Sequence, residues 1–125
     1  MKNYYFGVIA DIVLVIVFAA LGVASHYGVV TGPALARVAW PFLVALLVAH
    51  LILRTWKAAP WQLWPRGVFI VLITVVGAMV IRSLIGDGTD TAFVIVAFCV
   101  NTLFLLGWRA LAAFAHRRRI RKEAQ

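Results

Sequence analysis

Four long apolar runs separated by short polar stretches organise this sequence. They lie near residues 4–24, 36–53, 67–85 and 91–115, each close to the ~20 residues that a helix needs to cross a hydrocarbon core about 30 Å thick. Lipid offers the backbone no hydrogen-bonding partner, so runs of this length are predicted as helices. The pattern predicts an all-α fold, an integral membrane bundle of four transmembrane helices in a single domain over residues 1–125, ending in a basic tail over 116–125.

Turn-forming residues punctuate the runs. Ser25-His26-Tyr27-Gly28 ends the first helix, and Gly32-Pro33 completes the loop that follows. The second helix begins between Pro33 and Pro41. Proline suits a helix's first turn, so Trp40-Pro41 marks a candidate start, whereas an earlier start leaves Pro41 inside the helix as a kink. The third helix follows Trp64-Pro65-Arg66-Gly67, and Gly86-Asp87-Gly88-Thr89-Asp90 is a tight turn in which Asp90 can cap the fourth. The tail, Arg117-Arg118-Arg119-Ile120-Arg121-Lys122, is expected to fray. The first run is longer than the 7 to 15 residues of a signal core and is interrupted by Asp11, so it is expected to be a retained helix.

Composition agrees with an apolar solvent. Hydrophobic residues make up 65% of the chain and charged residues 13%, about half the ~25% of a water-soluble domain. A net charge of +8 would suit nucleic acid, but Lys and Arg stand between and after the apolar runs rather than along a soluble face. No nucleic-acid partner is expected, and the charge reads as topology. Ten of the twelve basic residues, Lys2, Arg54, Lys57, Arg66, Arg109 and the five of the tail, fall on the side that holds both termini. Only Arg37 and Arg82 fall on the other, beside Asp87 and Asp90. Positively charged loops resist translocation, so the expectation is a multi-pass plasma-membrane protein with cytoplasmic N- and C-termini. Trp56, Trp61 and Trp64 crowd one connection as an interfacial aromatic belt does. About 24 Å of helix separates Arg37 from Arg54, so both are expected to snorkel to the headgroups. Cys99 is the only cysteine and can form no intrachain disulfide.

Candidate chemistry begins at Asp11, because a carboxylate inside a membrane helix is costly and normally faces the bundle interior with a partner. Gly7, Asp11, Phe18, Gly22 and Ser25 share one stripe, whose small residues favour close helix approach. Asp11 and Arg109 each lie about two turns from the same side of the bilayer, so they are the expected ion pair, with His50 and Arg54 as candidates to join it. A structural lock between the first and fourth helices is the simpler reading, and a proton or ion site the alternative. At the opposite side, Thr74, Ala78 and Arg82 share a stripe that ends near His26, Arg37, Asp87 and Asp90. That set reads as a loop clasp, with an anion vestibule as the alternative. Asn101, near the middle of the fourth helix, is expected to form an interhelical hydrogen bond of about 0.6 to 2 kcal/mol.

No cluster with metal-ligand spacing, no phosphate-cradling glycine loop, no serine elbow and no zinc-binding histidine motif is present. No catalytic residue, metal or cofactor is therefore expected, nor an enzymatic activity. The partners expected are the lipid bilayer, anionic lipid at the basic tail, at about 1 kcal/mol per residue, and a second copy or other membrane partner. Four helices enclose little more than their own side chains, so a conducting path would need such a partner.

Several elements, taken in order, carry a resemblance: Ser25-His26, Trp40-Pro41-Phe42, the stretch from Arg54 to Trp64-Pro65, Thr74 to Met79 to Arg82, and Leu106-Gly107-Trp108-Arg109. Together they resemble a family of small prokaryotic membrane proteins known as domain of unknown function 3054. The resemblance covers nearly the whole chain; it implies a four-helix membrane protein of bacteria or archaea and supplies no catalytic residues. Asp11 is also similar in position to the membrane-embedded carboxylate of small multidrug transporters, but Asp stands where those have Glu and the rest of their pattern is absent. The functional expectation is a small transporter, channel or membrane-complex subunit. The alternative is a structural or accessory protein whose buried polar residues only hold helices together.

Overall fold

A computed structural model describes residues 5–57, 59–87 and 89–124, with the side chains of His26 and Tyr27 left out. It contains four α-helices, α1 (Phe6–Tyr27), α2 (Gly32–Leu53), α3 (Val68–Leu84) and α4 (Thr91–Ala124), with a short 3-10 turn at Thr55–Lys57. All four helices are long and apolar enough to cross a membrane. They pack in a ring, α1 on α2, α2 on α3, α3 on α4 and α4 on α1. The outside of the ring is apolar: Leu51 is 65% exposed, Leu103 68% and Leu111 74%. A continuous apolar exterior on this scale is covered by lipid rather than water. The chain is an integral membrane bundle.

The core is filled by Val15 and Phe18 of α1, Phe42 and Leu46 of α2, Ile70 and Val75 of α3, and Ala97 and Leu105 of α4. Phe42 meets both Phe18 and Phe93 edge-on, with ring centroids 5.0 and 6.2 Å apart. At the α2–α3 crossing a Cβ on Gly77 would lie 3.0 Å from the Cβ of Ala45, so glycine is what lets these helices approach closely. Gly22 does not serve the close approach expected of its stripe, because nothing stands within 4 Å of where its Cβ would be.

Helix ends depart from the sequence expectation for identifiable reasons. α1 runs through Ser25 to Tyr27 rather than stopping near residue 24, because the left-handed conformation that closes it falls on Gly28, at φ 78°. α2 begins at Gly32 rather than near residue 36: Thr31 is extended and its hydroxyl accepts the Ala34 N–H at 3.3 Å, with Pro33 in the first turn. Pro41 is therefore interior, and the Arg37 carbonyl lacks its usual helical donor. α4 does not end at residue 115. The tail is helical to Ala124, with Arg119 and Glu123 paired at 3.3 Å one turn apart and Arg121 and Lys122 beside the last carbonyls, where the helix dipole favours cations.

The connection between α2 and α3 positions the site described below. Arg54 closes α2 with φ 48° and ψ 51°, a left-handed conformation uncommon for a side chain of its size, and reverses the chain so that Thr55 lies beneath His50. Trp64 is extended and its bond to Pro65 is cis. Arg66 holds this connection to the end of α2, donating from Nε to the Leu53 carbonyl at 3.2 Å and from Nη1 to Gln62 Oε1 at 3.0 Å.

Candidate functional site

Asp11 is fully buried on α1, and each of its oxygens accepts from two donors. Arg109 of α4 reaches it with both ends of its guanidinium fork, Nη1 to Oδ1 at 2.8 Å and Nη2 to Oδ2 at 2.6 Å. Trp108 Nε1 donates to Oδ1 at 2.8 Å, and His50 Nε2 of α2 stands 2.9 Å from Oδ2. A bidentate arginine matches the plane of a carboxylate and is the strongest neutralising partner it can have. Asp11 and Arg109, expected at matching depth, are in direct contact.

The guanidinium is itself fixed on every side. Arg109 is 2% exposed; Nη1 also donates to the Leu105 carbonyl one turn back at 2.9 Å, and the group lies over the Trp108 ring, 4.7 Å from its centroid. Phe6 in turn packs edge-on against Trp108 at 6.4 Å. The imidazole extends the network in the other direction, with His50 Nδ1 hydrogen-bonded to the Thr55 hydroxyl. Because an ionised carboxylate can only accept, His50 donates to Asp11 from Nε2, and in the neutral tautomer that this fixes Nδ1 accepts the Thr55 O–H. The result is a continuous chain, Thr55 to His50 to Asp11 to Arg109, that joins α1, α2, α4 and the start of the α2–α3 connection.

Beside this chain lies a cavity of about 10 Å³, space for one water, bordered by Gly7, His50, Thr55, Gln62, Arg66 and Arg109. Two glycines keep it tight. A Cβ on Gly7 would stand 2.6 Å from Pro60 Cβ, and one on Gly67 2.8 Å from the Gln62 carbonyl and 3.3 Å from Arg109 Cδ.

The profile of the family described as "Protein of unknown function (DUF3054)" matches residues 8–112. The chain belongs to that family. No curated protein and no solved structure matches it. The DUF3054 match takes in the whole polar chain from Asp11 to Arg109 and leaves the basic end of α4 outside.

Other expected members of this DUF3054 site fall elsewhere. Arg54 does not join the cluster: it is exposed, because its left-handed turn directs the chain, not its own side chain, under His50. Asn101 is buried but forms no bond between helices; its Nδ2 donates to the Ala97 carbonyl of its own helix at 2.8 Å, and its Oδ1 has no hydrogen-bond partner. Thr55 and Trp108 were not anticipated. Trp108 adjoins Arg109 in the Gly-Trp-Arg element, and its polar indole N–H beside a buried arginine was the available signal.

At the opposite end, Asp87 bridges two cations, with Arg37 Nη2 at 3.2 Å and Arg82 Nη1 at 4.0 Å, while Arg82 also lies over Phe93, 4.5 Å from the ring centroid. This ties α2 to the α3–α4 turn. Asp90 stands apart and exposed, immediately before α4, where its carbonyl accepts the Val94 N–H at 3.0 Å. Thr74 does not belong to this outer group: it is fully buried about two turns deeper on α3, and its hydroxyl has no hydrogen-bond partner. The side chain of His26 lies outside the described residues. Among the described residues no three His, Cys, Asp or Glu side chains gather closely enough to hold a metal ion.

Proposed function

We propose that this protein is a non-enzymatic small transporter or channel in which the chain Asp11–His50–Thr55 handles protons and copies or partners supply the conducting path. The observation that carries this reading is the imidazole. A salt bridge between Asp11 and Arg109 would lock α1 to α4 without it, whereas His50 connects the buried carboxylate to a hydroxyl that borders a water-sized cavity. Histidine changes charge near neutral pH and serves as a proton shuttle in such settings. The axis of the bundle is filled by Phe18, Phe42, Leu46 and Val75, so a path through one copy has no lumen.

The test is proton flux into vesicles holding the purified protein under an imposed pH gradient. The wild type should exceed protein-free vesicles, and His50→Gln should lose the excess while keeping its thermal stability, since an amide can still donate to Asp11. Wild-type flux no greater than that of empty vesicles would reject the proposal. It would leave the second reading, an accessory protein whose buried polar residues hold helices together, which the full occupation of both Asp11 oxygens favours.

We place the termini and the α2–α3 connection in the cytoplasm, on the bias of basic residues toward that side. Reporters fused after Val30 and after Asp87 should then be external, while reporters at Pro60 and beyond Ala124 should be cytoplasmic. An external reporter at the C-terminal fusion would reverse the assignment.

A further inference from the structure

Where α2 passes into α3, the connecting segment and α4 leave a groove of about 400 Å³ between them, bordered by Trp61, Gln62, Trp64, Ala113, His116 and Arg117. It is a built recess. The Trp61 ring lies on His116 with centroids 4.4 Å apart, fixing the connection to α4, and Gln62 is held from behind by Arg66. Trp64 is 69% exposed at the rim and leans on Phe69, 5.7 Å away.

The groove joins two chemistries. On the bundle side its flanks are lipid-facing, with Leu111 and Phe114 exposed on α4 and Phe69 on α3. On the other side α4 continues as a helix, and the turn that follows Arg117 carries Arg121 on the same face. Because α4 is helical through this stretch, Arg117 borders the groove from the helix itself. A permanent cation with a planar fork is suited to a phosphodiester, and tryptophan rings settle at the headgroup level of a bilayer.

We propose that this groove binds the headgroup of an anionic phospholipid of the phosphatidylglycerol type, with Arg117 on the phosphate, Trp61 and Trp64 enclosing the glycerol, and the acyl chains running down the apolar flank beside Phe69, Leu111 and Phe114. The site is distinct from diffuse attraction between the basic tail and an anionic surface, because it depends on one arginine and not on the number of charges. Its connection side, Trp61, Gln62 and Trp64, lies within the segment that the family profile matches, whereas Ala113, His116 and Arg117 lie beyond it.

Native mass spectrometry of the full chain, released from detergent containing equal phosphatidylglycerol and phosphatidylcholine, tests the site. The wild type should retain one phosphatidylglycerol in preference to phosphatidylcholine. Arg117→Gln should lower that preference about fivefold, the weight of one well-placed cation near a lipid surface. Arg119→Gln removes the same charge from the same turn, but about 200° around the helix, and should leave the preference unchanged. Both residues are exposed, so neither change threatens folding. Equal retention of the two lipids, or equal loss in both variants, would overturn the site in favour of diffuse charge attraction. Displacement of the lipid by millimolar glycerol phosphate would overturn it in favour of a soluble phosphate ligand.

Discussion

Replacing Arg109 by Gln should cost the protein about 3 to 5 kcal/mol of stability, and adding Asp11→Asn to it should restore a large part of the loss. In the single variant Asp11 keeps Trp108 and His50 as donors but stands as a buried charge without its counter-ion. Asp11→Asn alone should be destabilising for a second reason as well. Its new N–H₂ faces groups that are themselves donors, and Arg109 is left charged, although its long side chain recovers something by snorkelling. The double variant buries no charge. Thermal unfolding in detergent of the wild type, both singles and the double closes the cycle, and strictly additive losses would show that the two side chains do not act on each other. Recovery of stability together with function marks the pair as a lock. Recovery of stability alone marks it as part of the working site.

Gly7→Ala should destabilise by about 1 to 3 kcal/mol, while the same change at Gly22 should be neutral or stabilising by up to about 1 kcal/mol. The two glycines lie on one helix stripe, yet their surroundings are opposite. A methyl group at position 7 would stand 2.6 Å from the Cβ of Pro60, a rigid ring, and would push the α2–α3 connection off α1. That connection carries Thr55 and lines the cavity beside His50, so the displacement should also weaken the Thr55–His50 hydrogen bond. At position 22 there is open space, and alanine has the better helix propensity. Unfolding of the two variants side by side in the same detergent checks this. Equal effects would mean that α1 does not pack on Pro60.

The number of helices, their approximate spans and the pairing of Asp11 with Arg109 were legible from sequence, and for a common reason. A helix in lipid must satisfy its own backbone, so its rise is constant and residue number converts directly into depth. Depth arithmetic therefore found the one carboxylate and the one arginine at matching levels, and brought His50 within range of them. Depth says nothing of direction around the helix axis or of what a side chain does once inside. Asn101 lies at the expected level but bonds back to the Ala97 carbonyl one turn earlier on its own helix. Thr74 shares a stripe with Arg82 yet belongs to the buried middle of the bundle.

Ends and turns were decided only by the folded chain. Ser25 and His26 are turn formers in isolation, but a helix ends where a residue can adopt a left-handed conformation, and here that residue is Gly28. Arg54 takes such a conformation without being glycine, so nothing in its residue type announced that Thr55 would fold back to His50. The sequence alone determined that this chain lies in a membrane and which charges share a level. Tertiary packing decided that Trp108, His50 and Thr55 complete the site, because those contacts depend on helix rotation, a reversed turn and the close approach that Gly7 allows.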